Sequence, residues 1–152
     1  MYAKRSVSTR IAKYLFVVII FMGIISSLSL IVMASNKSDA EAINISGSLR
    51  MQSYRLLTEM ERSPDTVEQN LVRYQRSLNA EALLSVQNQL FAPSGVRESY
   101  QKILKRWAVM SDFSRAHQIE KYHAELKSYV QDVDDFVLEL QRFAEKKWII
   151  AV

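Results

Sequence analysis

Arg50 lies on the apolar face of a predicted helix, and no carboxylate lies within one helical turn of it. The positions three and four residues away are Ser46, Gly47, Ser53 and Tyr54. Steps of three, four or seven residues define one helical stripe, which comprises Met33, Ala40, Ile43, Gly47, Arg50, Tyr54 and Leu57. An unpaired guanidinium is costly to bury, so Arg50 requires an anionic partner from another helix, a second chain or a ligand.

The segment around Arg50 also favours an anion electrostatically. Over residues 42–58 the only ionised side chains are Arg50 and Arg55, and both are positive. Arg55 has Glu59 one turn further along the helix, which predicts a solvated ion pair. Gly47 lies one turn before Arg50 and leaves room beside the backbone for a partner helix or a small ligand. Gly47 and Arg50 together predict a small, positively charged notch.

Two interpretations of Arg50 follow from the residues. On a membrane-anchored helix, Arg50 can face its own copy across a two-fold axis, where a flat oxyanion between them would satisfy both guanidiniums. Alternatively, Arg50 pairs with an acidic residue of another helix or extends its stem to water. Pattern alone favours the second interpretation.

No residue pattern predicts catalysis or a metal site. The chain has no cysteine, no Gly-rich phosphate loop and no nucleophile with a recognisable base. His117 and His123 are six residues apart and do not lie on adjacent helical turns. Asp132, Asp134 and Asp135 are interpreted as a solvated helix face. We therefore expect no catalytic residue, no metal and no cofactor in this chain.

Composition predicts an all-α fold. The 152 residues include 3 Gly and 2 Pro, too few for many turns, whereas strong helix formers are plentiful. The formal charge is +4, but part of the basic excess precedes an apolar run, at Lys4, Arg5, Arg10 and Lys13. Nucleic-acid binding is therefore not expected.

Residues 14–36 contain no charged side chain and predict a transmembrane helix, since a span needs about 20 apolar residues. A cleaved signal peptide is the weaker alternative, because the apolar run exceeds the usual length of a signal sequence. The positive flank predicts that the tail, residues 1–13, lies in the cytoplasm and that residues after about 36 lie outside it.

Residues 148–152 are interpreted as the start of a second span. A charged flank and Trp148 precede a short apolar run there. An amphipathic helix end that packs on the core is the alternative. With a second span, residues 37–147 form one extracytoplasmic domain between two membrane helices.

Breaks in the apolar periodicity divide that domain into helices. We predict helices from the membrane to about Arg62, from Ser63 to about Asn79, from Val96 to about Arg115 and from Ile119 onward. Ser63 is expected to cap the second helix. Residues 80–92 predict a short irregular helix, and 92–95 a loop. Two long and two shorter helices make an antiparallel up-down-up-down four-helix bundle.

Residues 39–56 carry a resemblance to a known family. The matching residues are Asp39-Ala40, Ala42-Ile43-Asn44 and Gly47-Ser48-Leu49-Arg50-Met51-Gln52-Ser53-Tyr54-Arg55. This segment resembles the periplasmic P-box of the nitrate/nitrite-responsive sensor histidine kinases of the NarX and NarQ type. Phe136-Val137 and Leu140-Gln141 are similar to the NarQ branch. Ser46 stands where Ala is usual, a small-for-small change.

The resemblance implies a homodimeric four-helix sensor domain in the periplasm, anchored in the bacterial inner membrane and in contact with lipid. One nitrate or nitrite would lie on the two-fold axis, held by Arg50 of both copies and by backbone near Gly47. The P-box residues that would support the site are Ser46, Ser48, Met51 and Tyr54. Axial displacement of the first and fourth helices would reach an ATP-using kinase domain and a response regulator. Neither a phosphoacceptor motif nor a kinase domain occurs in these 152 residues, so this chain alone is not expected to phosphorylate anything.

Two other functions fit the same pattern. The ligand domain of a chemoreceptor shares the bundle and the flanking spans, and the sequence beyond Val152 would distinguish it by a methylated coiled coil instead of kinase motifs. A structural, membrane-anchored dimerisation bundle with Arg50 paired internally is the third possibility.

Overall fold

The computed structural model of the chain describes residues 7–88 and 92–151, apart from the side chains of 7, 8, 35, 87 and 147–151. The helices are α1 (Val7–Arg62), α2 (Val67–Leu78), α3 (Glu81–Gln87), α4 (Ser94–Arg115) and α5 (Ile119–Ala151), with a 3₁₀ turn at Pro64–Thr66. No strand occurs in the described ranges. The predicted all-α class is confirmed.

The chain divides into two compact units, Met1–Lys37 and Ser38–Val152, and each is described by itself. In the first unit, α1 exposes its apolar side chains, and one 18-residue window has a mean hydropathy of 2.8. Its length and composition suit a membrane span, although an N-terminal signal sequence has the same properties. Ser27 and Ser29 donate their hydroxyls to carbonyls one turn earlier, which satisfies both donors within the helix.

In the second unit, α1 buries a stripe of small and apolar residues, comprising Ala42, Ser46, Leu49, Ser53, Leu56 and Met60. The stripe predicted from the sequence lies about 100° further around the helix. Its members Arg50 and Tyr54 are exposed, so this stripe is not the face of α1 that packs in the core of a single chain. Both stripes are largely apolar, and the buried one contains small side chains that let neighbouring helices approach closely.

Polar contacts between neighbouring helices run antiparallel, since residue numbers rise on one helix as they fall on the other. α1 contacts α2 through Gln52 with Ser77 and Glu59 with Asn70. α2 contacts α4 through Gln75 with Trp107 and Leu78 with Tyr100. α4 contacts α5 through Lys102 with Asp132 and Arg106 with Glu125. α1 contacts α5 through Arg50 with Asp134 and Ser53 with Tyr122.

Buried tyrosines fill the space between α2, α4 and α5. The Tyr74 ring stacks on Trp107 with centroids 3.6 Å apart, and its hydroxyl lies 2.6 Å from that of Tyr129. Burial raises the pKa of the Tyr74, Tyr122 and Tyr129 phenols. The phenols therefore stay neutral at physiological pH and add no charge to the core.

Most helix ends agree with the sequence prediction, but α4 begins at Ser94 and not at Val96, so the predicted loop at 92–95 is wrong for its last two residues. α1 ends at Arg62 as predicted, but Ser63 makes no side-chain capping bond, so its predicted role as a cap is wrong. Pro64 instead opens a 3₁₀ turn in which Thr66 donates its hydroxyl to the Ser63 carbonyl at 2.9 Å. α3 occupies the ambiguous region from residue 81, while residues 89–91 lie outside the described residues.

Candidate anion-binding site around Arg50

Arg50 pairs with a carboxylate of another helix in this structure. Its Nη1 lies 3.1 Å from Oδ1 of Asp134 on α5, and the two side chains are 54% and 41% exposed. Of the two interpretations from the sequence, the internal ion pair is therefore the one present within a single chain. Exposed pairs of this kind contribute only about 0.2–1 kcal/mol, so a competing anion can displace the carboxylate.

Gly47 leaves open space one turn before Arg50. A Cβ built on Gly47 would meet no atom within 4 Å, so packing within this chain does not require a glycine at that position. The missing side chain instead leaves the α1 backbone accessible beside the guanidinium. The open space lies where the sequence predicts a positively charged notch, and within a single chain the Arg50 charge beside it is paired with Asp134.

An apolar strip surrounds this notch on the exposed side of α1. Met51 and Tyr54 are 69% and 48% exposed, while Ile43 and Leu57 are partly buried. Together with Gly47 and Arg50, these residues form what we call the outer face of α1. Contiguous exposed apolar side chains on one helix face are typical of an interaction surface.

The two predicted support serines lie behind the outer face. Ser46 is fully buried and donates its hydroxyl to the Ala42 carbonyl at 2.7 Å. Ser48 accepts a hydrogen bond from Gln52, whose amide also reaches Ser77 of α2 at 3.1 Å. Gly47, Arg50, Met51 and Tyr54 therefore lie together on the outer face. The hydroxyls of Ser46 and Ser48 instead make hydrogen bonds within α1.

The three aspartates of α5 have different environments. Asp132 is only 6% exposed and lies 2.7 Å from Lys102 and 2.6 Å from Arg106. Its predicted place on a solvated face is therefore wrong, because two cations of α4 lie opposite it and compensate its buried charge. Asp135 is exposed and accepts a hydrogen bond from Gln131 at 3.0 Å.

The remaining ionisable candidates stand apart from this site. Arg55 lies 2.7 Å from Glu59, which confirms the predicted ion pair. His117 and His123 are exposed, the former in the turn between α4 and α5 and the latter on α5. Among the described residues no group of three or more His, Cys, Asp or Glu side chains is arranged to hold a metal ion.

Asp134 and Tyr122 are the contacts that the sequence does not reveal. Asp134 bonds the Arg50 side chain, and Tyr122 bonds the α1 backbone at Ser53, three residues further along. Both lie on α5, far from Arg50 in sequence, and local spacing carries no information about them. The sequence predicted only that the helices pack in an antiparallel bundle. That packing indicates α5 as a helix that can supply partners to α1, but it does not identify the residues.

Residues 31–129 match the family described as PilJ, type IV pili methyl-accepting chemotaxis transducer N-term. The chain belongs to the PilJ family. This PilJ-family chain is also 61% identical over 152 residues to the "Sensor protein NarQ homolog" of Haemophilus influenzae. It is 33% identical, again over 152 residues, to the "Nitrate/nitrite sensor protein NarQ" of Escherichia coli. The resemblance to NarQ-type sensors is thereby confirmed, and the chain spans 27% of the length of each of these curated relatives.

Proposed function

We propose that this chain is the ligand-sensing, membrane-anchored part of a two-component nitrate/nitrite sensor histidine kinase. The observation that carries the proposal is a half-exposed Arg50 beside the open space at Gly47. One nitrate or nitrite binds there, held by Arg50 of two copies and by backbone near Gly47. The Escherichia coli relative is a nitrate/nitrite sensor protein by name, which supports nitrate and nitrite as the ligand class.

The bound unit is a homodimer of four-helix bundles. The antiparallel contacts among α1, α2, α4 and α5 support an up-down-up-down bundle. Exposed Met51 and Tyr54 on the outer face of α1 support a second copy there, because a two-fold axis would bury both. The same axis brings two Arg50 side chains together, and an anion between them offsets their repulsion.

Ligand binding competes with Asp134 in this arrangement. Each Arg50 exchanges a carboxylate of its own chain for an oxyanion shared between chains. Since the exposed ion pair contributes at most about 1 kcal/mol, the exchange weakens binding by no more than about fivefold per pair. The pair also keeps each guanidinium neutralised before the anion arrives.

The domain lies in the periplasm, between a span at residues 14–36 and a second span that begins near 148. The tail, residues 1–13, lies in the cytoplasm, and both spans contact lipid of the inner membrane. Axial displacement of α1 and α5 passes the signal to a kinase domain that uses ATP and acts on a response regulator. No catalytic residue or cofactor is assigned to these 152 residues.

A thermal-shift experiment on the whole chain in detergent tests the proposal. Nitrate is expected to raise the melting temperature, since a ligand that binds only the folded state stabilises it. Arg50→Ala should abolish the shift. Arg55→Ala is the matched control, because Arg55 is paired with Glu59 and should leave the shift unchanged. No response of a dimeric wild-type sample to millimolar nitrate would contradict the proposal.

The ligand domain of a chemoreceptor is the second candidate, and the description of the PilJ family favours it. Both candidates use the same bundle and the same ligand site, so nitrate binding does not separate them. Coding sequence downstream of Val152 does, since kinase motifs support the sensor kinase and a long methylated coiled coil supports the chemoreceptor.

A further inference from the structure

Tyr122 of α5 bonds directly to the helical turn that carries Arg50. Its hydroxyl donates to the Ser53 carbonyl at 2.9 Å, and the Ser53 hydroxyl donates to the Arg50 carbonyl at 2.7 Å. Tyr122 and Ser53 are both 0% exposed. A neutral, buried hydrogen bond therefore ties α5 to α1 three residues from the guanidinium.

This bond is separable from the packing of the two helices. Within α1 the Ser53 carbonyl also accepts a hydrogen bond from the N–H four residues later. Its second lone pair accepts the hydrogen bond from the Tyr122 hydroxyl. Removal of the Tyr122 hydroxyl would leave that carbonyl paired within its own helix. Burial raises the pKa of Tyr122, so the phenol remains a donor at neutral pH.

The two polar links described between α1 and α5 differ in stiffness. The Arg50 to Asp134 link runs through a long, half-exposed side chain that can follow a moving helix. Tyr122 is a rigid ring fixed in the core, and its bond to the Ser53 carbonyl has an ordinary length of 2.9 Å. A shift of α1 along α5 by about 2 Å would stretch the contact to the 3.5 Å limit beyond which the bond is lost.

We propose that Tyr122 is a positioning residue for the Arg50 site. Its hydrogen bond to Ser53 fixes the register of α1 against α5 in the anion-free chain, and it opposes the shift of α1 that lets Arg50 bind an anion. The inference rests on the proposed function and adds a residue that sets the affinity without touching the ligand.

Tyr122→Phe tests this inference, with Tyr100→Phe as the matched control. The Tyr100 hydroxyl donates to the Leu78 carbonyl at 2.7 Å, which is the same kind of buried bond but links α4 to α2. Nitrate affinity is measured by isothermal titration calorimetry on the whole chain in detergent, and thermal melts report stability. Two such bonds break for each anion bound by the proposed dimer, so a net contribution of about 0.5–1.5 kcal/mol each predicts about 5- to 160-fold tighter nitrate binding in Tyr122→Phe. Tyr100→Phe should lose stability with unchanged affinity.

The outcomes separate this inference from the proposed function. Wild-type binding together with unchanged or weaker affinity in Tyr122→Phe would overturn the inference and leave the proposed function intact. An equal gain of affinity in Tyr100→Phe would also overturn it, because general loosening of the core would then be the cause. Failure of the wild type to bind nitrate would overturn both.

Discussion

Replacing Asp134 with asparagine is expected to tighten nitrate binding, because it removes the carboxylate that competes for Arg50. The two groups are 3.1 Å apart, and their side chains are 54% and 41% exposed. A pair at this exposure contributes about 0.2–1 kcal/mol, which corresponds to about 1.4- to 5-fold in affinity. Two pairs break in the proposed dimer, so Asp134→Asn should increase nitrate affinity by about 2- to 30-fold.

Calorimetric titration of the whole chain with nitrate, at matched chloride concentration, measures this effect. Asp135→Asn is the control, since it makes the same change of charge one residue away but leaves the Arg50 pair intact. Its affinity should stay within about twofold of wild type, because exposed charges are screened by salt. Weaker binding in Asp134→Asn would refute the reasoning, since Asp134 would then orient Arg50 for the anion. An equal gain in both variants would refute it as well.

Three further predictions concern stability. Because burial raises the folded-state pKa of Tyr122 and Tyr129, their contribution is complete below the unfolded pKa of about 10 and is lost as pH rises above it. The melting temperature should therefore change little between pH 9 and about pH 10 and should fall steeply from there to pH 12. His117 lies in the turn after α4 with a φ of 54°, so His117→Gly should raise the melting temperature by about 2–4 °C. Asp132→Ala should cost about 1–3 kcal/mol in chemical denaturation, less than a fully buried pair, because Arg106 is 26% exposed and keeps Glu125.

Each of these predictions has a contradicting result. A melting temperature that stays flat to pH 12 would show that the two phenols ionise equally in the folded and unfolded states. A lower melting temperature for His117→Gly would mean that the histidine side chain stabilises the turn by more than its backbone strain costs. Asp135→Ala is the surface control for Asp132→Ala, and equal losses in the two variants would contradict the assigned role of the buried aspartate.

Helix content and helix ends were predictable because they depend on local chemistry. Pro64 cannot continue a helix, and α1 ends at Arg62 as expected. The start of α5 at Ile119 also agrees with the onset of a sustained apolar stripe. Glycine and proline are scarce, so few alternatives to long helices existed.

The inward orientation of α1 could not be predicted, because two neighbouring stripes of that helix are both apolar enough to be buried. The stripe with Ser46 and Ser53 faces the core, where both hydroxyls bond carbonyls of their own helix. The stripe with Arg50 lies outside it. From the sequence alone, the stripe that faces the core and the apolar stripe beside it cannot be distinguished by their composition.

Only the part of the candidate site that lies on α1 could be predicted from the sequence. Arg50 and Gly47 stand out because no carboxylate lies within a turn and because one side chain is missing. Asp134 and Tyr122 depend on how α5 packs against α1, and Asp132 is buried only because α4 brings cations to it. Such pairings arise from tertiary contacts, which spacing along one helix does not encode.

The stoichiometry of nitrate binding tests the central claim most directly, because the proposed site is half a site per chain. Calorimetric titration of the whole 152-residue chain in detergent measures it. One nitrate per two chains, with binding lost in Arg50→Ala, is the predicted result. One nitrate per chain, or binding that survives Arg50→Ala, would contradict the claim that Arg50 of two copies shares one anion.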